Sequence, residues 1–428
     1  MRPPFVFPAK PVIYLKTKPR KLHKSYHNLL HKTGWSSSVP FGFRTIVVSD
    51  PQLVKSVLST LPKSDRFYDW LTEPVENARF LGQGMLTSSG PEWKSQRKAL
   101  DAAFVRKEIE SSIPLMKQET RDVIASTNCD EVVNITTMCS AITLNIVSNV
   151  LFGETFDDNA KSKVVTHVAK VNDEIMKFLN PLYIPVTYSP SYVQSMLHST
   201  IEVRKQVECA LDKRLQSDVE CNDLLSLIID YSSCKEEMID QVLTFFLAGY
   251  DTSATTIMWA LYLLHMHENK KYLGNIMMEL EYCNESQTLK NVILETLRLY
   301  PASGGGFIRK FTVENKDNEN FPSSWPINCD IVVPVYSMHR HPDHWSEPDE
   351  FMPERWETIS EAQMANVYMP FSQGPRNCIG KYFAMSEITA VVSTLLTEVE
   401  FYNTSQCLET ELTPVMTSVT PFTAILNK

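Results

Sequence analysis

The ten residues 371–380 read FSQGPRNCIG, and they decide how the rest of the chain is read. Pro370 closes a strand-like run at 367–369, while Gly374 and Gly380 permit tight turns and close backbone approach on either side of Cys378. After Gly380 the apolar residues Phe383, Ala384, Ile388, Val391, Val392, Leu395 and Leu396 recur at helical spacing. The stretch therefore predicts a turn that carries one thiol to the start of a helix. Unpaired N–H groups there favour negative charge, so the pattern presents a thiolate to a metal rather than a buried, inert thiol.

A length of 428 residues suggests about three domains by the usual prior. No Gly/Ser-rich linker, low-complexity tract or internal repeat divides the chain, however. The simpler expectation is one catalytic domain at 46–428, preceded by a basic arm and first helix at 1–45. Hydrophobic residues make up 43% and charged residues 21%, which excludes disorder and allows a sizeable core. No two of the nine cysteines stand two to four residues apart, against a zinc ribbon, and the odd count without a secretory signal argues against a disulfide framework. The net charge is −9, yet Arg2, Lys10, Lys16, Lys18, Arg20, Lys21, Lys24, Lys32 and Arg44 all precede the first acid, Asp50. Interleaved with Phe5, Phe7, Val12, Ile13, Tyr14 and Leu15, this arm suits an anionic membrane surface, and equally a solvated terminus. Its lack of acids also fits a mitochondrial presequence, although it is Pro-rich.

Residues 242–264 form a long apolar run with one charge, Asp251, near its middle. A carboxylate at mid-bilayer costs about 2.5–3.5 kcal/mol, and Thr244, Thr252, Ser253, Thr255 and Thr256 add polar load. A buried core helix of more than 25 residues, entered from Glu236, fits better than a membrane span. Ala248 and Thr252 share one face of it. Gly249 leaves room against a flat ligand, and the Thr252 hydroxyl can bond back to the Ala248 carbonyl and loosen the helix. Further helices are expected at 92–105, 140–151 and 201–215, and strands at 45–48, 331–335, around Phe401 and at 422–426. The polar stretch 314–325 reads as a surface loop or hairpin. Glu295 and Arg298 share a face of a helix that ends at Tyr300, before Pro301. His339, His341 and His344 lack a fourth ligand nearby, which favours structural roles over zinc. Gly304 to Gly306 lacks the Lys-Ser/Thr of a phosphate loop.

Phe371, Gly374, Arg376, Cys378 and Gly380, continued by Ala384 and Glu387, resemble the haem-binding signature of the cytochrome P450 family. Five fixed positions at about 1 in 20 each arise by chance in roughly one window in three million. Other motifs follow in the family's order from about Ile46 to the C-terminus. The resemblance implies that Cys378 is the proximal haem ligand, whose electron density favours O–O cleavage. It sets Ala248 and Gly249 beside the haem, with Thr252 to hydrogen-bond dioxygen and Asp251 to relay protons. Trp93, Arg97 and Arg376, with Arg309 as a further candidate, would partner the haem propionates. Glu295 and Arg298, joined by Arg355 from the segment Phe351, Pro353, Glu354, Arg355 and Trp356, would form a buried network that locks the loop before Cys378, a structural role. Phe245, Ala248, Ala302, Ser303, Phe307, Met416 and Thr417 are the candidate substrate contacts.

The implied fold is mainly α (α+β), a haem-thiolate prism with a small β-rich side. The implied cofactor is haem b, with O2 as co-substrate, and the implied reaction inserts one oxygen atom into a lipophilic substrate such as a fatty acid, sterol or xenobiotic. No flavin or nicotinamide fingerprint is present, so electrons would come from NADPH-cytochrome P450 reductase or an equivalent donor. A monomer without a nucleic-acid partner is expected, at the endoplasmic reticulum membrane surface, with cytosol or mitochondrion as alternatives. Two departures from microsomal members are a missing N-terminal hydrophobic anchor and compression at 106–236 and 268–295, where lid elements choose and admit substrate. The competing readings are an isomerase or dehydratase of the same fold acting on a lipid hydroperoxide, which Asp251 and Thr252 argue against, and a non-catalytic haem-binding sensor.

Overall fold

The apolar run at 242–264 lies within one helix of 30 residues, Lys235–Leu264, about 45 Å long at 1.5 Å per residue. Glu236 and Glu237 occupy its first turn, where acids suit the positive end of the helix dipole. The computed structural model describes residues 19–33, 38–40, 45–64, 72, 79–128, 131–178, 190–217, 223–283, 285–404, 407–413 and 415–427. Arg2, Lys10, Lys16, Lys18 and Arg44 of the basic arm, with Phe5, Phe7, Val12, Ile13, Tyr14 and Leu15, lie outside the described residues.

In chain order the helices are α1 (Leu22–Lys32), α2 (Pro51–Thr60), α3 (Gly90–Leu100), α4 (Arg106–Ser126), α5 (Ile135–Ile146), α6 (Asp158–Phe178) and α7 (Pro190–Leu215). They continue as α8 (Leu224–Tyr231), α9 (Lys235–Leu264), α10 (Lys270–Cys283), α11 (Gln287–Leu299), the single turns α12 (Val335–Met338) and α13 (Glu361–Met364), and α14 (Lys381–Glu398). Helix α9 packs against α5, α7, α8, α10, α11 and α14, which is why it is apolar on nearly every side. No helix among the described residues is long and apolar enough to cross a membrane.

The strands are β1 (Ser38–Pro40), β2 (Thr45–Val48), β3 (Val132–Asn134), β4 (Phe307–Phe311), β5 (Cys329–Val333), β6 (Glu400–Asn403), β7 (Thr410–Thr413), β8 (Val415–Ser418) and β9 (Thr423–Asn427). They form sheets of order β1-β2-β5-β4, β3-β9-β6 and β7-β8. Strands β2 and β5 pair in parallel and are buried throughout, as their runs of β-branched residues predict. Tyr26 and Leu30 of α1 pack on Val47 and Val332 of this sheet, and Arg20 and Lys21 pair with Glu411 and Glu409 of the β7 hairpin. Part of the basic stretch therefore holds the N-terminal helix to the body of the protein.

The mainly helical class with small sheets stands as expected, with local corrections. The strand expected at 331–335 is shifted to Cys329–Val333, because Pro334 ends it and Val335 opens a helical turn. The run 367–369 forms no strand; the Val367 and Tyr368 N–H groups donate to the Met364 carbonyl, and the Met369 N–H donates to His339. Phe321 and Trp325, expected on a surface loop, are 6% and 5% exposed; they stack on each other and meet the Phe311 ring edge-on in the core. Helix α7 begins at Pro190 rather than near Ile201, because its inner face there includes Ser199 and Thr200. The Thr200 hydroxyl donates back to the Met196 carbonyl at 2.9 Å, so a hydrophobic pattern cannot reveal that turn.

Candidate active site

The turn before α14 is built on Gly374. Its φ of +73° is left-handed, and a Cβ there would stand 2.6 Å from the Leu58 carbonyl, so a side chain is excluded twice. The Asn377 N–H donates to the Gly374 carbonyl at 3.1 Å, and the Cys378 N–H donates to the Phe371 carbonyl at 2.8 Å. Gly380 departs from expectation: its φ is −83°, and an added Cβ would make ordinary contacts, 3.8 Å from the Phe104 ring and 4.0 Å from the Cys378 sulfur. The Cys378 side chain is solvent-exposed, yet desolvation raises its pKa above that of an ordinary thiol, opposed by the Gly380 N–H, Arg97 and Lys381. A group that touches solvent and still has protein around it lines a hollow rather than the close-packed core. A coordinated metal ion would deprotonate it outright.

The candidate cations gather around this turn. Arg97 of α3 donates to the Asn377 carbonyl at 2.7 Å and pairs with Asp101 at 2.9 Å. Arg376 stacks 4.5 Å above the Trp93 ring and donates to the carbonyls of Ser88, Met85 and Leu86 at 3.0, 3.3 and 3.3 Å. Arg309 is buried on β4, where its backbone pairs with that of Lys63, whose amino group donates to the Thr87 carbonyl in the loop that Arg376 also meets. Lys63 was not singled out by the sequence, where a lone lysine carries no signal.

A second open wall lies on α9. Between buried residues 239–246 and 253–264, Ala248 is exposed, and Leu247, Gly249, Asp251 and Thr252 are half-buried. The Thr252 hydroxyl donates to the Ala248 carbonyl at 2.8 Å, as expected. Gly249 serves a different neighbour from the flat ligand expected of it: a Cβ would lie 2.8 Å from Val147, so its space goes to the element behind the helix. Burial pushes the Asp251 carboxyl up to about 7. Phe104 ties the two walls together, since it lies beside Gly380 and stacks on Phe245 of α9 at 5.5 Å.

Behind the turn, Glu295, Arg298 and Arg355 meet as a buried network. Arg298 donates to both oxygens of Glu295, at 2.9 and 2.8 Å, and to the carbonyls of His339, Pro348 and Glu350. Arg355 donates to Glu295 at 3.0 Å, and Trp356 and the Met352 N–H complete the carboxylate's shell. His339 joins this network to the segment before Cys378. The Met369 N–H donates to Nε2, which makes that nitrogen an acceptor, so Nδ1 carries the proton donated to the Arg298 carbonyl. His339 is thus a neutral structural residue, its pKa lowered to about 3 chiefly by burial. Among the described residues, no group of three or more His, Cys, Asp or Glu could hold a bare metal ion.

The substrate candidates divide. Ser303, Phe307 and Thr417 are half-buried, with Ala248 exposed. Phe245, Ala302 and Met416 are buried against protein. Phe245 is occupied by Phe104, and Met416 fills the space over Gly304 while its carbonyl accepts from Trp259 and its N–H donates to Ala302. Met416 and Thr417 lie on the β7–β8 hairpin.

The family model described as cytochrome P450 matches residues 3–425. Cytochrome P450 3A17 of Cavia porcellus is 27% identical, the match covering 91% of this chain and 81% of that protein. Cytochrome P450 3A18 of Rattus norvegicus is 26% identical, covering 86% and 79%, and cytochrome P450 CYP72A613 of Trigonella foenum-graecum is 23% identical, covering 89% and 78%. The solved cytochrome P450DA heme domain superposes with a TM-score of 0.79 at 19% identity, over 99% of this chain and 97% of that one, a likeness of fold.

Proposed function

This chain belongs to the cytochrome P450 family, and from that premise we propose that it oxygenates a lipophilic substrate at the hollow between Cys378 and the Ala248–Thr252 stretch. It is a monooxygenase, an oxidoreductase that uses haem iron and O2. The residues present fit such a group. A thiol at a helix N-terminus, with an N–H and two cations favouring its anion, is suited to an axial sulfur ligand. Cys378 would hold the iron of haem b, and Trp93, Arg97, Arg376 and Arg309 would hold the propionates. Bound haem supplies the iron at which dioxygen is reduced.

The overall change joins RH, O2, two electrons and two protons to give ROH and water. The electrons come from a separate donor, for which we propose NADPH-cytochrome P450 reductase. Asp251 holds a proton near neutral pH and can be reloaded from water reaching the exposed end of the hollow. The Thr252 hydroxyl stands one residue on, and its bond to the Ala248 carbonyl fixes its direction in the resting enzyme. The Glu295 network holds the turn that carries Cys378. Fatty acids, sterols and foreign lipophiles are the proposed substrate class, met by Ser303, Phe307 and Thr417. We propose residues 46–428 as the catalytic domain, and the endoplasmic reticulum surface as its location, supported by the basic, aromatic-bearing arm.

The observation that carries the proposal is the Cys378 thiol, exposed yet desolvated at the head of α14. The test is the visible spectrum of the reduced protein with carbon monoxide. The strongly red-shifted thiolate band is expected in the wild type and lost in Cys378→Ala. Haem binding without that band in the wild type would mean another ligand. With reductase, oxygen and a lipid panel, NADPH-coupled product supports the monooxygenase, and its persistent absence favours the sensor.

A further inference from the structure

We infer that Thr143, on the far side of α9 from the hollow, is a positioning residue for oxygen-side proton delivery, because its hydroxyl grips the peptide group immediately before Asp251. The inference rests on the proposed roles of Asp251 and Thr252.

Thr143 is fully buried on α5, and its hydroxyl reaches three carbonyls: Cys139 at 3.1 Å and Ser140 at 3.3 Å on its own helix, and Tyr250 of α9 at 2.9 Å. A hydroxyl has one proton to donate, and the shortest of the three contacts is the one that crosses between helices. The Tyr250 carbonyl and the Asp251 N–H belong to one planar peptide group, so fixing the carbonyl fixes the plane from which Asp251 departs.

Four of the five carbonyls from Ala248 to Thr252 accept a hydroxyl. The Ala248 carbonyl accepts from Thr252, Asp251 from Thr255, and Thr252 from Thr256, each from one turn along α9 itself. Of these four, the Tyr250 carbonyl is the one gripped from another helix. Directly beside this contact α5 widens into a π-turn, Val147–Leu151, and Val147 fills the space left by Gly249. Side-chain hydroxyls on helix carbonyls weaken and tilt the backbone bonds they share. Thr143 and Val147 therefore brace, from behind, the stretch of α9 that carries Asp251 and Thr252.

The test compares Thr143→Val, which keeps the shape and removes the hydroxyl, with Thr143→Ser, which restores it, in the haem-loaded protein. Intact carbon monoxide spectra establish that each variant folds, and Thr143→Ala, which also removes the hydroxyl, takes the place of the valine variant if that one does not fold. The first readout is amide hydrogen exchange at Ala254, the helix partner of the Tyr250 carbonyl. With the shared acceptor released, exchange there is expected to slow at least threefold in Thr143→Val and return toward wild type in Thr143→Ser. The second readout is peroxide released per NADPH consumed, with reductase and lauric acid as probe. A severalfold rise is expected in Thr143→Val, with no further rise when it is added to Thr252→Ala. Unchanged exchange and unchanged peroxide release would overturn the inference, as would additivity of the two substitutions, which would mean that Thr143 acts by another route. If Thr252→Ala itself left peroxide release unchanged, the proton-relay reading would fall, while exchange at Ala254 would still decide whether Thr143 grips the peptide.

Discussion

Asp251 is the carboxyl at the middle of a helix whose other acids, Glu236, Glu237 and Asp240, lie in its first two turns, and burial alone lifts it to about 7. Below that pH it carries the proton it is proposed to deliver, and above it the proton is lost. NADPH-coupled product formation should therefore fall as pH rises through about 7, while haem content stays constant. Asp251→Asn should remove that inflection and slow turnover on the order of 100-fold, the usual contribution of a positioned acid. A retained inflection in the asparagine variant would assign it to another group. The sequence singles out Cys378, Asp251 and Thr252 as candidates because their proposed chemistry admits few residue types at fixed offsets. Gly249 was legible as a glycine but not in its purpose: periodicity shows that a face must be bare, not that Val147 of another helix occupies it. Thr143 was invisible for the same reason, since a threonine in a buried helix does not announce which carbonyl it meets.

Among the elements, the long helix and the paired strands β2 and β5 followed from apolar length and β-branched runs. The hairpin β7–β8 did not, because its strands are four residues a side and their burial alternates without a matching polar and apolar alternation, Thr410 and Ser418 being buried. The Glu295 network was legible as a pair on one helix face plus a distant arginine, yet its reach was not. Only the structure shows Arg298 spending all five of its donor bonds, two on Glu295 and three on backbone carbonyls at 339, 348 and 350. Lysine carries a point charge and three donors and cannot reproduce that fork. Arg298→Lys should cost about 3–5 kcal/mol, the usual range for breaking a buried ion pair. Because His339 links the network to the Met369 N–H, the loss should fall first on the Cys378 turn. On mild heating, the thiolate carbon monoxide band of the variant should decay before its helical circular dichroism does. Simultaneous loss of both signals would mean that the network supports the whole domain rather than the turn.

At the scale of the molecule, two sets of buried titratable groups pull stability in opposite directions with pH. His23, His27 and His339 are lowered to about 3, 4 and 3, chiefly by burial, so they stay neutral in the fold while the unfolded chain takes up protons below about 6.5. Their stabilisation is present above that pH and is lost as pH falls toward the folded values. Glu387 acts the other way. It lies fully buried on α14, and neither carboxylate oxygen has a well-formed hydrogen bond among the described residues. Burial raises it to about 8, only slightly offset by Ser253 of α9. The unfolded chain releases this proton near 4.5 while the fold retains it to about 8, so its contribution is full below 4.5 and declines as pH rises between these values, by a few kcal/mol in all. Asp251 adds a smaller decline that ends near 7. The chain should therefore be most stable in a window between the two limbs and weaken on both sides. Glu387→Gln keeps the shape and removes the titration. Urea midpoints of the haem-loaded protein at pH 5, 6.5 and 8 should show the glutamine variant gaining on the wild type as pH rises. The acid limb should be unchanged in both, since the histidines remain. Parallel midpoints across the three pH values would mean that the Glu387 proton is not retained in the fold, and that α9 and α14 accommodate a carboxylate between them.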